Sequence, residues 1–354
     1  MAKKGSKNLL AGFSGKDGSE DKPSNKPAKK PAKAARKKPL ATAIALFQAG
    51  KLKEAAALCR RIVKKEPNDV NAWTTLAAIA EALKDAKTAA ESLKNVVKLR
   101  PKSAEAHVNL GRLLGRMNNL EGAAACFGKA LELHPELAQA HNGLGMVLST
   151  GGDLDRGEAC YRRAVELKPG YAEAHLNLGN LLRFRNRYEE AVDCYRRAIE
   201  LDPKAESAHQ GLGLALGQLN KYEEAVKCFH RALEIRPESA RTYSDLGTVL
   251  ELGGKSEEAV AAYEKALEIA PDLVAALNNM GNSLRHLERL EPAEAALSRA
   301  TALAPDFAEA HNNLGIVLKE LNRDGDAEAS YRRALEIRPD YPEALNNLGN
   351  TLKD

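Results

Sequence analysis

The chain has 354 residues, of which 44% are hydrophobic and 29% charged, and its formal net charge is +5. No apolar run approaches the ~18 residues that a membrane-spanning helix needs, so a transmembrane segment is not expected. The apolar stretch 9–13 is also too short for a secretory signal, and the chain is therefore expected in the cytoplasm.

The charge is concentrated at the N-terminus. Residues 1–40 hold twelve Lys or Arg and three Asp or Glu, a net charge of +9 that leaves −4 for the rest of the chain. Residues 1–38 are rich in Lys, Pro, Gly, Ser and Ala, and their only aromatic residue is Phe13. Such a segment buries too little apolar surface to offset its ordering entropy, which predicts a disordered basic tail. Its lysines and arginines are suited to attract phosphate of nucleic acid or of anionic lipid, and a purely solubilising tail is the alternative.

Prolines divide the rest of the chain at a fixed interval. Nine of them stand 34 residues apart: Pro67, Pro101, Pro135, Pro169, Pro203, Pro237, Pro271, Pro305 and Pro339. A period between about 20 and 50 residues is typical of a solenoid or an array, in which each repeat contacts its neighbours. We number each repeat so that its proline is position 32. The repeats then begin at 36, 70, 104, 138, 172, 206, 240, 274 and 308, and a single terminal helix is predicted over 342–354.

Each repeat shows the pattern of two amphipathic helices. In the repeat 172–205, positions 4, 7, 8 and 11 form one apolar stripe, and positions 20, 24 and 27 form another. A short polar turn over 185–187 separates the two helices, and Pro203 ends the second one. Gly recurs at position 8 from Gly111 onward although it costs a helix about 1 kcal/mol, so a close approach between helices is predicted there.

The terminal repeats depart from this pattern. In the repeat 36–69, Pro39 stands at position 4, and the first helix is predicted over about 40–48, as an N-terminal cap. At the other end, Leu345, Leu348 and Leu352 are suited to cover the preceding helix pair. This last helix is either a polar cap or the front of a longer array.

The chain resembles the tetratricopeptide repeat family through Leu178, Gly179, Leu182, Ala191, Tyr195, Ala198 and Pro203 and their equivalents in other repeats. The resemblance covers about 36–354. It implies an all-α solenoid of antiparallel helix pairs that stack into a right-handed superhelix. In that fold the first helix of each pair lines the concave face.

The stripe at positions 2, 6, 9 and 13 lies opposite the apolar stripe of the first helix and is therefore expected to line the concave groove. Asn is a poor helix former, so its recurrence here suggests either a ligand-binding role or a surface residue copied with the repeat. An amide can both donate to and accept from a peptide backbone. The predicted peptide-binding residues are Asn109, Arg112, Asn177, Asn180, Asp245, Asn279, Asn282, Asn313, Asn347 and Asn350.

Three segments resemble the repeat arm of the O-linked N-acetylglucosamine transferases: AHVNLGRLL (106–114), AHLNLGNLL (174–182) and LNNLGNTLK (345–353). In that family the asparagines hold an extended substrate peptide, and the catalytic region follows the repeats. Here Gly143 and Gly211 interrupt the series of asparagines, and no catalytic region is present in the sequence.

Other functional classes find little support. The cysteines Cys126, Cys160, Cys194 and Cys228 recur every 34 residues, and helices ~8–10 Å apart place them too far from one another for disulfides. The same spacing makes the histidines at position 4 packing residues and not metal ligands. No catalytic motif is present, so the chain is not expected to be an enzyme or to hold a cofactor.

The leading hypothesis is a scaffold that binds peptides or proteins in its groove. The alternative is the substrate-recruiting arm of a larger glycosyltransferase or sulfotransferase.

Overall fold

A computed structural model describes residues 32–353, and all of its regular structure is helical. The part of the predicted tail up to residue 31 lies outside the described residues. The chain divides into two compact blocks, with a boundary between Pro169 and Gly170. We call them the N-terminal block and the C-terminal block.

The N-terminal block contains eight helices in its described part: α1 Ala32–Gln48, α2 Leu52–Lys65, α3 Val70–Ala82, α4 Ala86–Leu99, α5 Ala104–Arg116, α6 Leu120–Leu133, α7 Ala138–Thr150 and α8 Leu154–Leu167. The C-terminal block, described to residue 353, contains eleven: α9 Ala172–Phe184, α10 Tyr188–Leu201, α11 Glu206–Gln218, α12 Tyr222–Ile235, α13 Ala240–Leu252, α14 Ser256–Ile269, α15 Val274–His286, α16 Leu290–Leu303, α17 Ala308–Glu320, α18 Asp324–Ile337 and α19 Pro342–Thr351. Odd-numbered helices are the first helices of the predicted repeats, and even-numbered helices are the second.

The first helix begins at Ala32, whereas the sequence analysis placed its start near residue 40. The predicted helix began just after Pro39, and Pro39 lies inside α1. The seven preceding residues are Ala, Lys and Arg, which are among the strongest helix formers. The helix therefore includes 32–38, the last seven residues of the segment assigned to the tail.

The two helices of a repeat are antiparallel. In the pair α7 and α8, Gly157 (position 20) lies against Ser149 (position 12), and Tyr161 (position 24) lies against Gly145 (position 8). Moving four residues forward on α8, from Gly157 to Tyr161, moves the contact four residues backward on α7, from Ser149 to Gly145.

From the repeat 104–137 onward, the core of each repeat is the large side chain at position 24, packed against the glycine at position 8. Tyr195, Tyr263 and Phe229 are at most 1% exposed. A Cβ atom placed on Gly247 would lie 2.7 Å from Tyr263 Cε1, and one on Gly315 would lie 2.6 Å from Tyr331 Cε1. Since real Cβ atoms do not approach this closely, the close helix approach that the sequence predicted is confirmed.

A left-handed residue at position 15 ends the first helices. Nine residues there have positive φ angles: Gly50, Lys84, Asn118, Gly152, Asn186, Asn220, Gly254, Glu288 and Asn322. The next residue donates its N–H to a carbonyl five residues back, as Asn119 does to Leu114 O at 2.9 Å. This pattern is a Schellman-type helix end, in which Gly or Asn is favoured. It confirms the predicted polar turn at 185–187.

Within each block, a histidine or tryptophan at position 4 joins several of the consecutive repeats. Four histidines there, His107, His141, His209 and His311, donate from Nε2 to the carbonyl of the preceding repeat's proline, at 3.0 Å for His107 and Pro101 and at 2.8 Å for His141 and Pro135. Trp73 Nε1 does the same to Pro67 O at 2.8 Å. These side chains pack between repeats, as predicted, and they also bond the proline carbonyl in the turn that follows a second helix.

All five cysteines are free. Burial raises the pKa of the thiols of Cys59 and Cys228 to about 11, so both remain protonated at neutral pH. They act as small apolar side chains in the helix interfaces.

The terminal helix α19 covers the preceding pair with fewer residues than predicted. Leu348 packs against the cluster of Leu318, Ala327 and Tyr331. In contrast, Leu345 is 51% exposed and Leu352 is 57% exposed. Within the described residues, no helix has the length and apolarity that crossing a membrane requires.

The glycine–ring packing gives a prediction about stability. Gly145→Ala places a methyl group against the Tyr161 ring and the Gly157 carbonyl, and it should lower the free energy of unfolding by about 1–3 kcal/mol. The control Gly128→Ala adds a methyl group in the interior of α6, where nothing lies within 4 Å, and it should raise that free energy by about 1 kcal/mol. Urea denaturation followed by circular dichroism measures both, and equal stability of the two variants would contradict the packing.

Candidate functional site

We call the positions 2, 6, 9 and 13 of the first helices the amide stripe. Every predicted binding residue on it is half-buried or exposed, whereas Thr75, Ala78, Gly143 and Gly211 are buried. In α9, Leu178, Gly179 and Leu182 are buried, whereas Asn177 is half-buried and Asn180 is exposed. Of the predicted binding residues, Arg112, Asn180 and Asn350 are exposed. The other seven are half-buried: Asn109, Asn177, Asp245, Asn279, Asn282, Asn313 and Asn347. Asn109 and Arg112 belong to the N-terminal block, and the remaining eight belong to the C-terminal block.

Several of these residues bond to the neighbouring repeat. Asn313 Nδ2 donates to Asn278 Oδ1 at 2.9 Å, and Asn347 Nδ2 donates to Asn312 Oδ1 at 3.0 Å. Both bonds join position 6 to position 5 of the preceding repeat, 35 residues earlier. The acceptors Asn278 and Asn312 are buried. We call this arrangement the amide clasp.

The clasp has a variant at Asp245. Gln210 Nε2, at position 5, donates to Asp245 Oδ2 at 2.8 Å. Burial raises the pKa of Asp245, while the bond from Gln210 and the charges of Arg241 and Arg183 oppose that rise. The clasp therefore tolerates the carboxylate of Asp245 at position 6 in place of an amide, because its partner Gln210 donates the hydrogen bond.

Tyrosine hydroxyls reach the stripe from the second helices. Tyr195 OH donates to Asn180 Oδ1 at 2.9 Å, and Tyr263 OH donates to Thr248 Oγ1 at 3.3 Å. Asn279 Nδ2 also bonds Thr248 Oγ1, at 3.4 Å. Burial raises the pKa of Tyr263 to about 12, so the hydroxyl remains a donor at neutral pH.

The two glycines that interrupt the stripe are explained by the ring of the preceding repeat. A Cβ atom on Gly211 would lie 2.5 Å from Tyr195 Cε1, and one on Gly143 would collide with the Phe127 ring. The ring thus fills the space that an Asn side chain would need. Sequence reasoning found the interruptions but not this cause.

Two predicted amides have no such structural bond. In the described part of the chain, the side chains of Asn282 and Asn350, both at position 9, form no hydrogen bond. Their donors and acceptors are therefore available to a ligand. Position 13 of the stripe carries Phe184, which is 71% exposed, and Leu252, which is 55% exposed. They belong to the repeats that begin at 172 and 240, whereas Asn282 and Asn350 belong to those that begin at 274 and 342. Sequence reasoning did not single out these two apolar residues, although reading position 13 along the repeats would have found them.

No cluster of three or more His, Cys, Asp or Glu able to hold a metal occurs among the residues that the structure describes. The stripe carries amides, hydroxyls and apolar side chains, together with the charged Arg112 and Asp245. Its side chains are suited to hydrogen bonding with an extended chain.

Family models identify the chain. Models described as "Tetratricopeptide repeat" match residues 40–79, 108–172, 160–193, 205–272 and 272–340, and one described as "TPR repeat" matches 179–220. These matches cover well over half of the chain, which therefore belongs to the tetratricopeptide repeat family. No curated protein sequence matches it significantly.

Two solved structures share the fold, and a third is similar in sequence over part of the chain. The APC/C hetero-tetramer Cut9–Hcn1 matches with a TM-score of 0.58 and 17% identity, over 85% of this chain and 59% of that one. PilF of Pseudomonas aeruginosa matches with a TM-score of 0.52 and 20% identity, over 60% of this chain and 97% of that one. YrrB, described as "a TPR protein with an unusual peptide-binding site", is 28% identical over 52% of this chain and 96% of its own, with a TM-score of 0.44.

The hydrogen bonds of the stripe give a prediction that distinguishes the clasp amides from the available amides. Asn313→Ala leaves the buried Asn278 Oδ1 without its donor and should cost about 1–3 kcal/mol of stability. Asn282→Ala removes no bond and should change stability by less than about 0.5 kcal/mol. Thermal denaturation of both variants provides the measurement, and an equal effect would show that the clasp has no energetic role.

Proposed function

We propose that this protein is a non-catalytic scaffold that binds an extended peptide segment along the amide stripe, in a groove lined by the first helices. The observation that carries the proposal is the availability of Asn282 and Asn350 at position 9. Each presents two N–H donors and one carbonyl acceptor. An extended backbone offers the complementary groups at every residue, so its recognition requires no particular side chain.

The clasp residues contribute to the same surface. Asn313 and Asn347 each use one N–H in the clasp, which leaves a second N–H and the carbonyl for a ligand. Because the clasp already holds these side chains, a ligand loses little conformational entropy when it engages them. The same bonds that join the repeats would thus preorganise the binding surface.

The exposed apolar side chains add a preference for the ligand. Phe184 offers apolar area on the same helix as Asn180, and Leu252 offers it on the same helix as Asp245. Burial of such area stabilises a complex by about 25 cal/mol per Å². The favoured ligand therefore combines an accessible backbone with apolar side chains.

The alternative hypothesis uses the same surface. A substrate-recruiting arm of a larger glycosyltransferase or sulfotransferase would also hold extended peptides along the stripe. A test of the stripe therefore addresses the binding step of both hypotheses.

The test starts from peptides selected against the full chain from a random library, so that no partner needs to be known. The double substitution of Asn282 and Asn350 by Ala should weaken the best selected peptide by about tenfold or more, since hydrogen bonds that fix the backbone are lost. Isothermal titration calorimetry measures the dissociation constant.

The matched control is Asn95→Ala on the second helix α4, where the side chain bonds the carbonyl of Glu91 within its own helix. It should leave the affinity unchanged. Equal affinity of the double variant and the unmodified chain, with helicity retained, would reject the stripe as the binding surface.

A further inference from the structure

A cavity of about 310 Å³ lies in the N-terminal block, among the helices α2, α3 and α4. Val63 and Leu76 form a buried apolar floor, and the half-buried Trp73 forms one wall. Arg60 and Lys64 are exposed at its mouth. Its volume is at the lower end of the ~300–1,000 Å³ that small-molecule sites occupy. The cavity is separate from the amide stripe.

A buried hydroxyl in this cavity has no partner. Ser92 is 1% exposed, and its Oγ forms no hydrogen bond to any described residue. Ser330 occupies the same position, 23, in a later repeat, and its hydroxyl bonds the Asp326 carbonyl at 2.9 Å. A hydroxyl without a partner in an apolar surrounding is unfavourable, so a ligand acceptor would gain from meeting it.

The aromatic wall is held in place before any ligand binds. Trp73 Nε1 donates to Pro67 O at 2.8 Å, which fixes the plane of the ring. A fixed ring offers its face to an apolar or aromatic group with little loss of side-chain entropy.

The charge at the mouth favours an anion. Among the eight lining residues, Arg60 and Lys64 are cationic, and Glu91 is the one acid. Arg60 also lies 3.5 Å from Asp85 and is therefore partly neutralised. Lys64 is thus the cation with the greater influence on a ligand.

We propose that this cavity binds a small organic carboxylate with an apolar body and a carbonyl acceptor, as in an N-acylated apolar amino acid. The carboxylate faces Lys64 and Arg60, the apolar body lies against Trp73 and Leu76, and Ser92 donates to the carbonyl. A free metabolite and the C-terminal residue of a polypeptide share this chemistry.

Trp73 is the single tryptophan of the chain, so its fluorescence reports on this cavity alone. Titration of the full chain with N-acetyl-L-phenylalanine should give a saturable fluorescence change. The neutral N-acetyl-L-phenylalaninamide should bind about tenfold more weakly, because it lacks the charge that Lys64 attracts.

Lys64→Gln should weaken binding of the carboxylate by about tenfold and should remove most of its advantage over the amide. The matched control is Lys65→Gln, an exposed lysine on the same helix that does not line the cavity. Ser92→Ala should weaken both ligands alike, because it removes a bond to the carbonyl that they share.

Circular dichroism melts verify that each variant is folded. The proposal is overturned if the fluorescence does not saturate, if the carboxylate and the amide bind equally, or if Lys64→Gln and Lys65→Gln behave alike. Tighter binding of a longer peptide that ends in phenylalanine would assign the ligand to a polypeptide terminus. Equal binding would assign it to a free acid.

Discussion

The contact between a position-8 glycine and the side chain at position 24 determines the rest of this structure. The ring of Tyr263 lies so close to Gly247 that a Cβ atom there would be 2.7 Å from it. This contact sets the separation of the two helices in a repeat and fixes which face of the first helix is buried. The opposite face, the amide stripe, is exposed as a consequence. The ring also extends into the next repeat, where it leaves room for only a glycine at Gly143 and Gly211.

Neighbouring first helices are then joined by side chains 35 residues apart. At positions 6 and 5 of successive repeats, Asn313 bonds Asn278. Nearer the ends of the first helices, charged pairs repeat the arrangement: Arg116 with Glu81 at 2.7 Å, and Arg285 with Glu320 at 3.1 Å. The exposed charged pairs contribute little to stability, whereas the half-buried amides leave a costly unpaired group when one is removed. The stripe therefore has a structural role besides the proposed binding role.

Much of the fold could be predicted from the sequence, because each repeat is specified by short-range signals. The proline interval, the Gly145 and Tyr161 spacing and the polar turn at 185–187 all depend on nearby residues. The start of α1 could not be predicted, since helix-forming residues on both sides outweighed Pro39. The candidate stripe was predicted as a set of positions, but the division between clasp amides and available amides depends on side-chain directions across repeats. The cavity beside Ser92 depends on the packing of three helices and leaves no signal in the sequence.

The central claim is that some asparagines of the stripe join neighbouring repeats, whereas Asn282 and Asn350 are available to a ligand. Hydrogen exchange of the side-chain amides, followed by NMR of the full chain without ligand, tests it most directly. The account predicts slowed exchange at Asn313 and Asn347, which donate in the clasp, and fast exchange at Asn282 and Asn350. Equally fast exchange at all four residues would contradict it.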